Sequence, residues 1–285
     1  MEKSAPEEKY YSSDEEQWEV LSDPVINIFS CGWAEDGRCG YAPDKHKELL
    51  IPFPFANVRN EVDSTGRQYV CKRASAGSRH SVLLMINCRK ETGRFGRKRK
   101  KVVLAGLNQV GLCEEEGQYI PYDLNIDRDE VPIQVYASYG NTFILTKVGN
   151  VYSCGYNRYG ILGHGVTTYD NTMQIPRQIM ELNQVRVKSV ALGQHHALAL
   201  AYNGKIYSWG RNTKGQLGHG FDSECEILPR RIEYFSDKDV VTEISCGFEH
   251  SIVHARVMKM DKSIPSYIYA WGDHSRGQLG SGDIR

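Results

Sequence analysis

The chain has 285 residues, with 35 lysines and arginines against 35 aspartates and glutamates, and it contains 27 glycines. That length holds one large repeat domain or two ordinary domains with ample core, and the aromatic content excludes a wholly disordered chain. Net neutrality gives no global preference for nucleic acid or an anionic membrane, so the placement of charge along the chain matters instead.

Residues 1–24 form an acidic tail, with Glu7, Glu8, Asp14, Glu15, Glu16 and Glu19, that is expected to be disordered. Ser12 and Ser13 precede Asp14-Glu15-Glu16, a context that suits an acidophilic kinase. The tail lacks the basic and apolar regions of a secretory signal, and no apolar run in the chain is long enough for a membrane-spanning helix. The protein is therefore expected to be intracellular, with cytoplasm and nucleus both open. Its eight scattered cysteines read as reduced thiols rather than as a disulfide framework.

Residues 25–285 are punctuated by two alternating motifs. The first appears weakly at Gly32, Gly37 and Gly40, and again at Gly106, Gly111 and Leu112. It is complete from Cys154-Gly155 through Gly160, Leu162, Gly163 and Gly165. It returns as Trp209-Gly210 through Gly215, Leu217, Gly218 and Gly220, and as Trp271-Gly272 through Gly277, Leu279, Gly280 and Gly282. This close glycine spacing predicts tight turns with positive φ, where a side chain would clash.

The second motif is Gly77-Ser78-Arg79-His80, Gly193-Gln194-His195-His196 and Gly247-Phe248-Glu249-His250, with Gly140-Asn141-Thr142-Phe143 read as a degenerate copy that has lost its histidine. Each copy leads into an apolar or alternating run, then a turn, then another short strand that ends at the next Trp-Gly-like pair. Short β-branched and aromatic runs between glycine and asparagine turns predict antiparallel strands, about four to each unit. The tryptophans are expected to pack between units, and the motif histidines to bond backbone of the next unit.

One turn is replaced by a basic insertion at 89–101, which carries Arg89, Lys90, Arg94, Arg97, Lys98, Arg99, Lys100 and Lys101. The equivalent turn near the end, 255–266, is also enlarged and holds Arg256, Lys259 and Lys262. Equivalent turns emerge on one face, so both extensions are candidates for a partner contact. The open readings are a solvated hairpin tip, a nuclear import signal, or a contact to chromatin or another anionic surface.

No residues form a catalytic or metal constellation. The chain has no Cys-x-x-Cys, no His-Glu-x-x-His and no phosphate-binding loop, so no cofactor or metal is expected. Cys31 and Cys39 sit at repeat positions and read as core. His195 and His196 are adjacent on a strand and face opposite sides, so they do not share a ligand. His164 and His219 lie in glycine turns and are expected at the surface.

The two alternating motifs resemble the repeats of the regulator of chromosome condensation family, over about residues 26–282. The resemblance implies an all-β propeller of four-stranded antiparallel blades. About five units are present, expected to be part of an incomplete seven-bladed ring. It also implies a non-catalytic interaction module that docks a protein partner. The alternative is a guanine-nucleotide exchange factor for a Ran-like small GTPase, because the family includes the Ran exchange factor, although no residue here matches its β-wedge. The family also includes a plant ultraviolet-B photoreceptor that depends on tryptophan just after the second-motif glycine. That position reads here as Ser78, Asn141, Gln194 and Phe248, so light sensing is not expected to carry over.

Overall fold

The structure is a computed structural model that describes residues 29–33, 48–54, 69–78, 80–87, 100–106, 119–122, 130–168, 173–236, 238–257 and 265–282. The acidic tail and most of the basic insertion lie outside these residues.

The chain folds as a β-propeller, and its sheets are numbered here as blades 1 to 5 in chain order. Blade 1 holds β1 (Phe29–Trp33) and β2 (Glu48–Pro54). Blade 2 holds β3 (Tyr69–Ala76), β4 (His80–Asn87), β5 (Lys100–Gly106) and β6 (Tyr119–Tyr122). Blade 3 holds β7 (Pro132–Ser138), β8 (Asn141–Thr146), β9 (Val151–Gly155) and β10 (Met173–Gln178). Blade 4 holds β11 (Val187–Leu192), β12 (His196–Ala201), β13 (Ile206–Arg211) and β14 (Cys225–Arg231). Blade 5 holds β15 (Asp239–Cys246), β16 (His250–Val257) and β17 (Ser266–Gly272). Within each blade the strands pair antiparallel in chain order. The first strands β3, β7, β11 and β15 pack on one another, which leaves the fourth strands outermost.

The second strands β8 and β12 are buried on both faces, and their period of two feeds two cores at once. In β12, Ala197 and Ala199 join Phe143, Leu145 and Trp209 at the seam between blades 3 and 4. Its alternate residues Leu198 and Leu200 join Ile206, Phe235 and Val253 at the seam between blades 4 and 5. The small alanines leave room for Phe143 and Trp209, whose rings lie 6.3 Å apart.

Polar ties cross each seam. The Trp209 indole N–H donates to the Ile161 carbonyl at 2.6 Å, and Trp271 donates to the Gln216 carbonyl at 2.9 Å, each in the glycine loop of the preceding blade. The tryptophans therefore pack between blades as the repeats predict. Those loops share one internal design. Asn157 Oδ1 accepts from the Leu162 amide and Asn212 Oδ1 from the Leu217 amide, while Ser153 and Ser208 donate to the Leu162 and Leu217 carbonyls. The predicted positive φ is present at Gly160, Gly163 and Gly165, and at their counterparts in the next two copies. His164 and His219 differ from their expected surface position. Both are half-buried, with Nε2 at 3.0 and 3.1 Å from the Ser153 and Ser208 hydroxyls.

The second-motif histidines reach backbone of the next blade, at Asn141 and Tyr139 for His80 and at His250 for His196, and each also meets a side-chain hydroxyl there: His80 Nε2 lies 3.1 Å from Thr142 Oγ1, and His196 Nε2 lies 3.0 Å from Ser251 Oγ. Each hydroxyl heads the second strand of the next blade. The motif glycines serve space rather than φ, because a Cβ at Gly77 or Gly193 would stand 2.6 or 2.1 Å from Cε1 of the motif's own histidine.

The degenerate copy also has a different register. Ala137 pairs with Thr142 as Leu192 pairs with Ala197 and Cys246 with Ser251, so Ser138 holds the glycine position and Asn141 the histidine position. The hydroxyl position of blade 4 is Ala197, and the Asn141 side chain, fully buried, makes no hydrogen bond. Where the hydroxyl is missing, the histidine that would need it is missing too.

Burial pushes His80 down to about 4 and His196 down to about 3, so both are neutral in the folded protein at neutral pH. The unfolded chain takes up these protons near pH 6.5, which makes stability fall as pH drops from about 6.5 towards 4. Each such histidine contributes a slope of up to about 1.4 kcal/mol per pH unit in that window. Replacing His80 with Asn, the residue blade 3 uses at the equivalent Asn141, should flatten the dependence of urea-unfolding free energy on pH. An unchanged slope would show that His80 is not held neutral by burial.

Candidate interaction face

In each blade the turn between the first two strands and the exit of the third strand lie at the same end. The pairs His80–Gly106, Asn141–Gly155, His196–Gly210 and His250–Gly272 fix this register. The turns 138–141, 193–196 and 247–250 and the exits at Tyr156 and Arg211 therefore share one face of the disc.

An aromatic and basic cluster crosses three blades on this face. The His195 ring lies 5.4 Å from Tyr139, 6.4 Å from Tyr156 and 5.3 Å from Tyr159, centroid to centroid. The guanidinium carbons of Arg158 and Arg211 stand 5.0 and 5.2 Å from the Tyr159 ring, within cation–π range. Arg211 also pairs with Glu249 of blade 5 at 2.5 Å. Beyond Glu249, Phe248 is 65% exposed. Burial, and then the positive charges of Arg211 and Arg158, push His195 down to about 4, so it sits neutral among two cations.

Two residues of this cluster hold unusual backbone. Among the described residues, Tyr139 (φ +40°) and Tyr159 (φ +62°) are the non-glycine positions with positive φ. Tyr139 occupies the first central position of a two-residue hairpin turn, where glycine is the usual choice. The loop that holds Tyr159 also carries a substitution two residues on. In the next two copies Gln216 and Gln278 turn their side-chain oxygens back to the amides of Lys214 and Arg276, each at 2.8 Å. Ile161 replaces that glutamine and has no such oxygen, and Tyr159 before it lies in the left-handed region. A non-glycine residue held there costs on the order of 1–3 kcal/mol, and such residues collect at functional sites.

The strand ends that flank the residues proposed from charge lie elsewhere. Asn87 and Lys100, the strand ends that flank the basic insertion, lie at the opposite end of β4 and β5 from His80, and so at the other face of the disc. Val257 and Ser266 flank the second extension at the same end of blade 5. Arg89, Lys90, Arg94, Arg97, Lys98, Arg99, Lys259 and Lys262 lie outside the described residues. Lys101 is described only as a β5 residue paired with Met85. Lys100 donates to the Pro132 carbonyl of blade 3 at 3.1 Å, a tie between blades, and Arg256 is exposed near the end of β16.

Residues 148–200 and 203–253 match the regulator of chromosome condensation (RCC1) repeat, and a second RCC1 repeat description matches 187–216. The chain belongs to the RCC1-repeat family. It is 26% identical to the ultraviolet-B receptor UVR8 of Arabidopsis thaliana over 93% of this chain, and it spans 53% of that receptor's length. It is 37% identical to the human E3 ubiquitin-protein ligase HERC2 over 82% of this chain, but it spans only 4% of the ligase. Its fold matches that of human WBSCR16 (TM-score 0.63, 22% identity, covering 90% of this chain and 74% of the other). It likewise matches Prp20p from Saccharomyces cerevisiae (TM-score 0.60, 24% identity, covering 82% and 52%). With the register corrected, the positions that follow the second-motif glycine in this RCC1-repeat chain are Ser78, Tyr139, Gln194 and Phe248, with Tyr139 in place of Asn141 and still without tryptophan. No helix among the described residues is long and apolar enough to cross a membrane.

The backbone at Tyr159 can be checked by substitution. Asparagine accepts the left-handed region, so Tyr159→Asn should melt at or above the parent temperature. Tyr159→Val, β-branched and disfavoured at positive φ, should lose about 1–3 kcal/mol in urea unfolding. Equal stability of the two variants would mean that Tyr159 is not strained.

Proposed function

We propose that this RCC1-repeat chain is a non-catalytic interaction module that docks a protein partner on the tyrosine–arginine face. One observation carries the reading: both positive-φ tyrosines converge on His195 beside Arg158 and Arg211, in a patch spread over three blades. Tyrosine and arginine are the residue types that dominate binding energy at protein interfaces, and a rigid aromatic ring loses little entropy on docking. Strain kept at two such rings is unfavourable for folding alone and is accounted for by a surface shaped for contact.

Guanine-nucleotide exchange on a Ran-like GTPase is the second reading. Its support is the shared fold with Prp20p, which has binding properties to Gsp1p and histones. The basic residues of 89–101, together with Arg256, Lys259 and Lys262, are a proposed second contact for an anionic or chromatin partner.

Proximity capture in cells, with parent, Tyr159→Asn and Arg211→Ala compared, tests the docking face. The partner should be lost from both variants, with a drop in affinity of about tenfold or more for the purified pair. Retention in both variants, with loss only when residues 97–101 are neutralised, would move the contact to the basic face. Release of a fluorescent guanine nucleotide from Ran and related GTPases separates the two readings. An interaction module leaves the rate unchanged, and acceleration of one GTPase that is lost in the face variants would establish exchange.

A further inference from the structure

The other face of the disc, away from the tyrosine–arginine cluster, is built from the turns between second and third strands and from the segments that enter the first strands. A continuous strip crosses blades 3, 4 and 5 there. In blade 3 the turn 147–149 seats on the entry to β11. The Val187 amide donates to the Gly149 carbonyl at 3.1 Å, and a Cβ at Gly149 would stand 2.9 Å from Arg186 Cγ.

The same seat recurs one blade on. The turn 202–204 of blade 4 rests on the entry to β15, where a Cβ at Gly204 would stand 3.3 Å from Val240 Cγ1. Within blade 4 the Tyr202 amide donates to the Arg186 carbonyl at 3.0 Å, and the Arg186 guanidinium carbon lies 4.6 Å from the Tyr202 ring. These contacts join Val148, Arg186, Tyr202 and Val240 into one surface held by the backbone beneath it.

Each seat leaves an apolar side chain outside. Val148 is 48% exposed, Tyr202 56% and Val240 47%. Lys147, Arg186 and Lys238 are exposed among them. In the loop before β15 the carboxylates are already engaged, Glu233 with Arg231 at 3.5 Å and Asp239 with the Ser236 hydroxyl at 2.7 Å. Glu181, in the loop before β11, is the exposed exception. A single exposed apolar residue needs no account, but three along one strip with cations between them suit an acidic segment that carries large apolar side chains.

This chain holds such a segment. Residues 1–24 carry eight acidic residues against two lysines, and within them Asp14, Glu15, Glu16 and Glu19 are interleaved with Trp18, Val20 and Leu21. The route of the chain leads from there to the same face. Gly32 of β1 holds the place that Gly155 has in β9 and Gly210 in β13, each paired with the strand that follows. β1 is therefore a third strand, and β9 and β13 show that third strands start at this face, directly after the turns 147–149 and 202–204. The ten residues between Trp18 and Phe29 reach roughly 35 Å when extended, about the diameter of a small domain.

We propose that the acidic segment 14–21 docks in cis on this strip, with its carboxylates at Lys147, Arg186 and Lys238 and with Trp18, Val20 and Leu21 against Val148, Tyr202 and Val240. The contact takes three apolar side chains out of water and sets opposite charges side by side. While docked, the segment closes the strip to other acidic partners. This site lies away from the tyrosine–arginine face and does not rest on docking there.

The test uses the full chain and a water-soluble carbodiimide, which joins a carboxylate to an amine only where the two touch, with the linked peptides identified by mass spectrometry. Links from Asp14, Glu15, Glu16 or Glu19 to Lys147 or Lys238 are expected. They should form within one molecule when isotope-labelled and ordinary protein are mixed. Arg186→Glu combined with Tyr202→Asp should lower their yield about tenfold. Both side chains are exposed, so the melting temperature of that variant should stay near the parent's. Absence of these links in the parent overturns the proposal, as does an equal yield from the folded variant. Links confined to other lysines would place the segment elsewhere, and links found only between labelled and ordinary copies would make the contact one between molecules. Either result also overturns docking in cis on the strip.

Discussion

The fold depends on the seams between neighbouring blades, and at two of them an indole N–H reaches the backbone of the preceding blade's glycine loop. A four-stranded sheet buries neither face by itself, so each blade needs a neighbour, and the seams are where the apolar area is buried. Trp209 closes one such seam from the middle of an apolar cluster, with its only polar atom bonded to the Ile161 carbonyl. The histidine-to-hydroxyl bonds add a second tie near the face of the disc, in which a buried polar atom has one partner and one place to find it.

The seam also accounts for the candidate face. Ile161 serves the seam twice, as a buried side chain and as the acceptor for Trp209. The same residue lacks the side-chain oxygen that glutamine supplies in the next two copies, and Tyr159 takes the left-handed region beside it. Because the turns of three blades are locked to one another, Tyr139, His195 and Glu249 hold fixed spacing, which a partner can read without ordering a mobile loop.

Much of the architecture was legible in the residues. Glycine marks positive φ directly, so the turns at Gly160, Gly215 and Gly277 could be read from spacing, and the Trp-Gly pairs marked the seams. What was misread had weaker marks. Gly140 drew the degenerate motif copy out of register, because Ser138 and Asn141 carry no visible trace of the glycine and histidine they replace. The histidines' reach to next-blade backbone was legible, but nothing local announces that the Thr142 and Ser251 hydroxyls lie beside them one blade away.

The tyrosine–arginine face was missed for a different reason. Charge clusters are visible in a sequence, so 89–101 drew attention, whereas Tyr139, Arg158, Tyr159, His195 and Arg211 are separated along the chain and meet only through the blade register. The seam is the claim on which this account rests, and Trp209→Phe tests it most directly. Phenylalanine keeps an aromatic ring in the pocket and removes the N–H, so the buried Ile161 carbonyl loses its donor, at a cost of about 1–3 kcal/mol. Urea unfolding followed by far-ultraviolet circular dichroism should show that loss as a lower midpoint. A midpoint equal to that of the parent would mean that the indole bond does not hold the blades together.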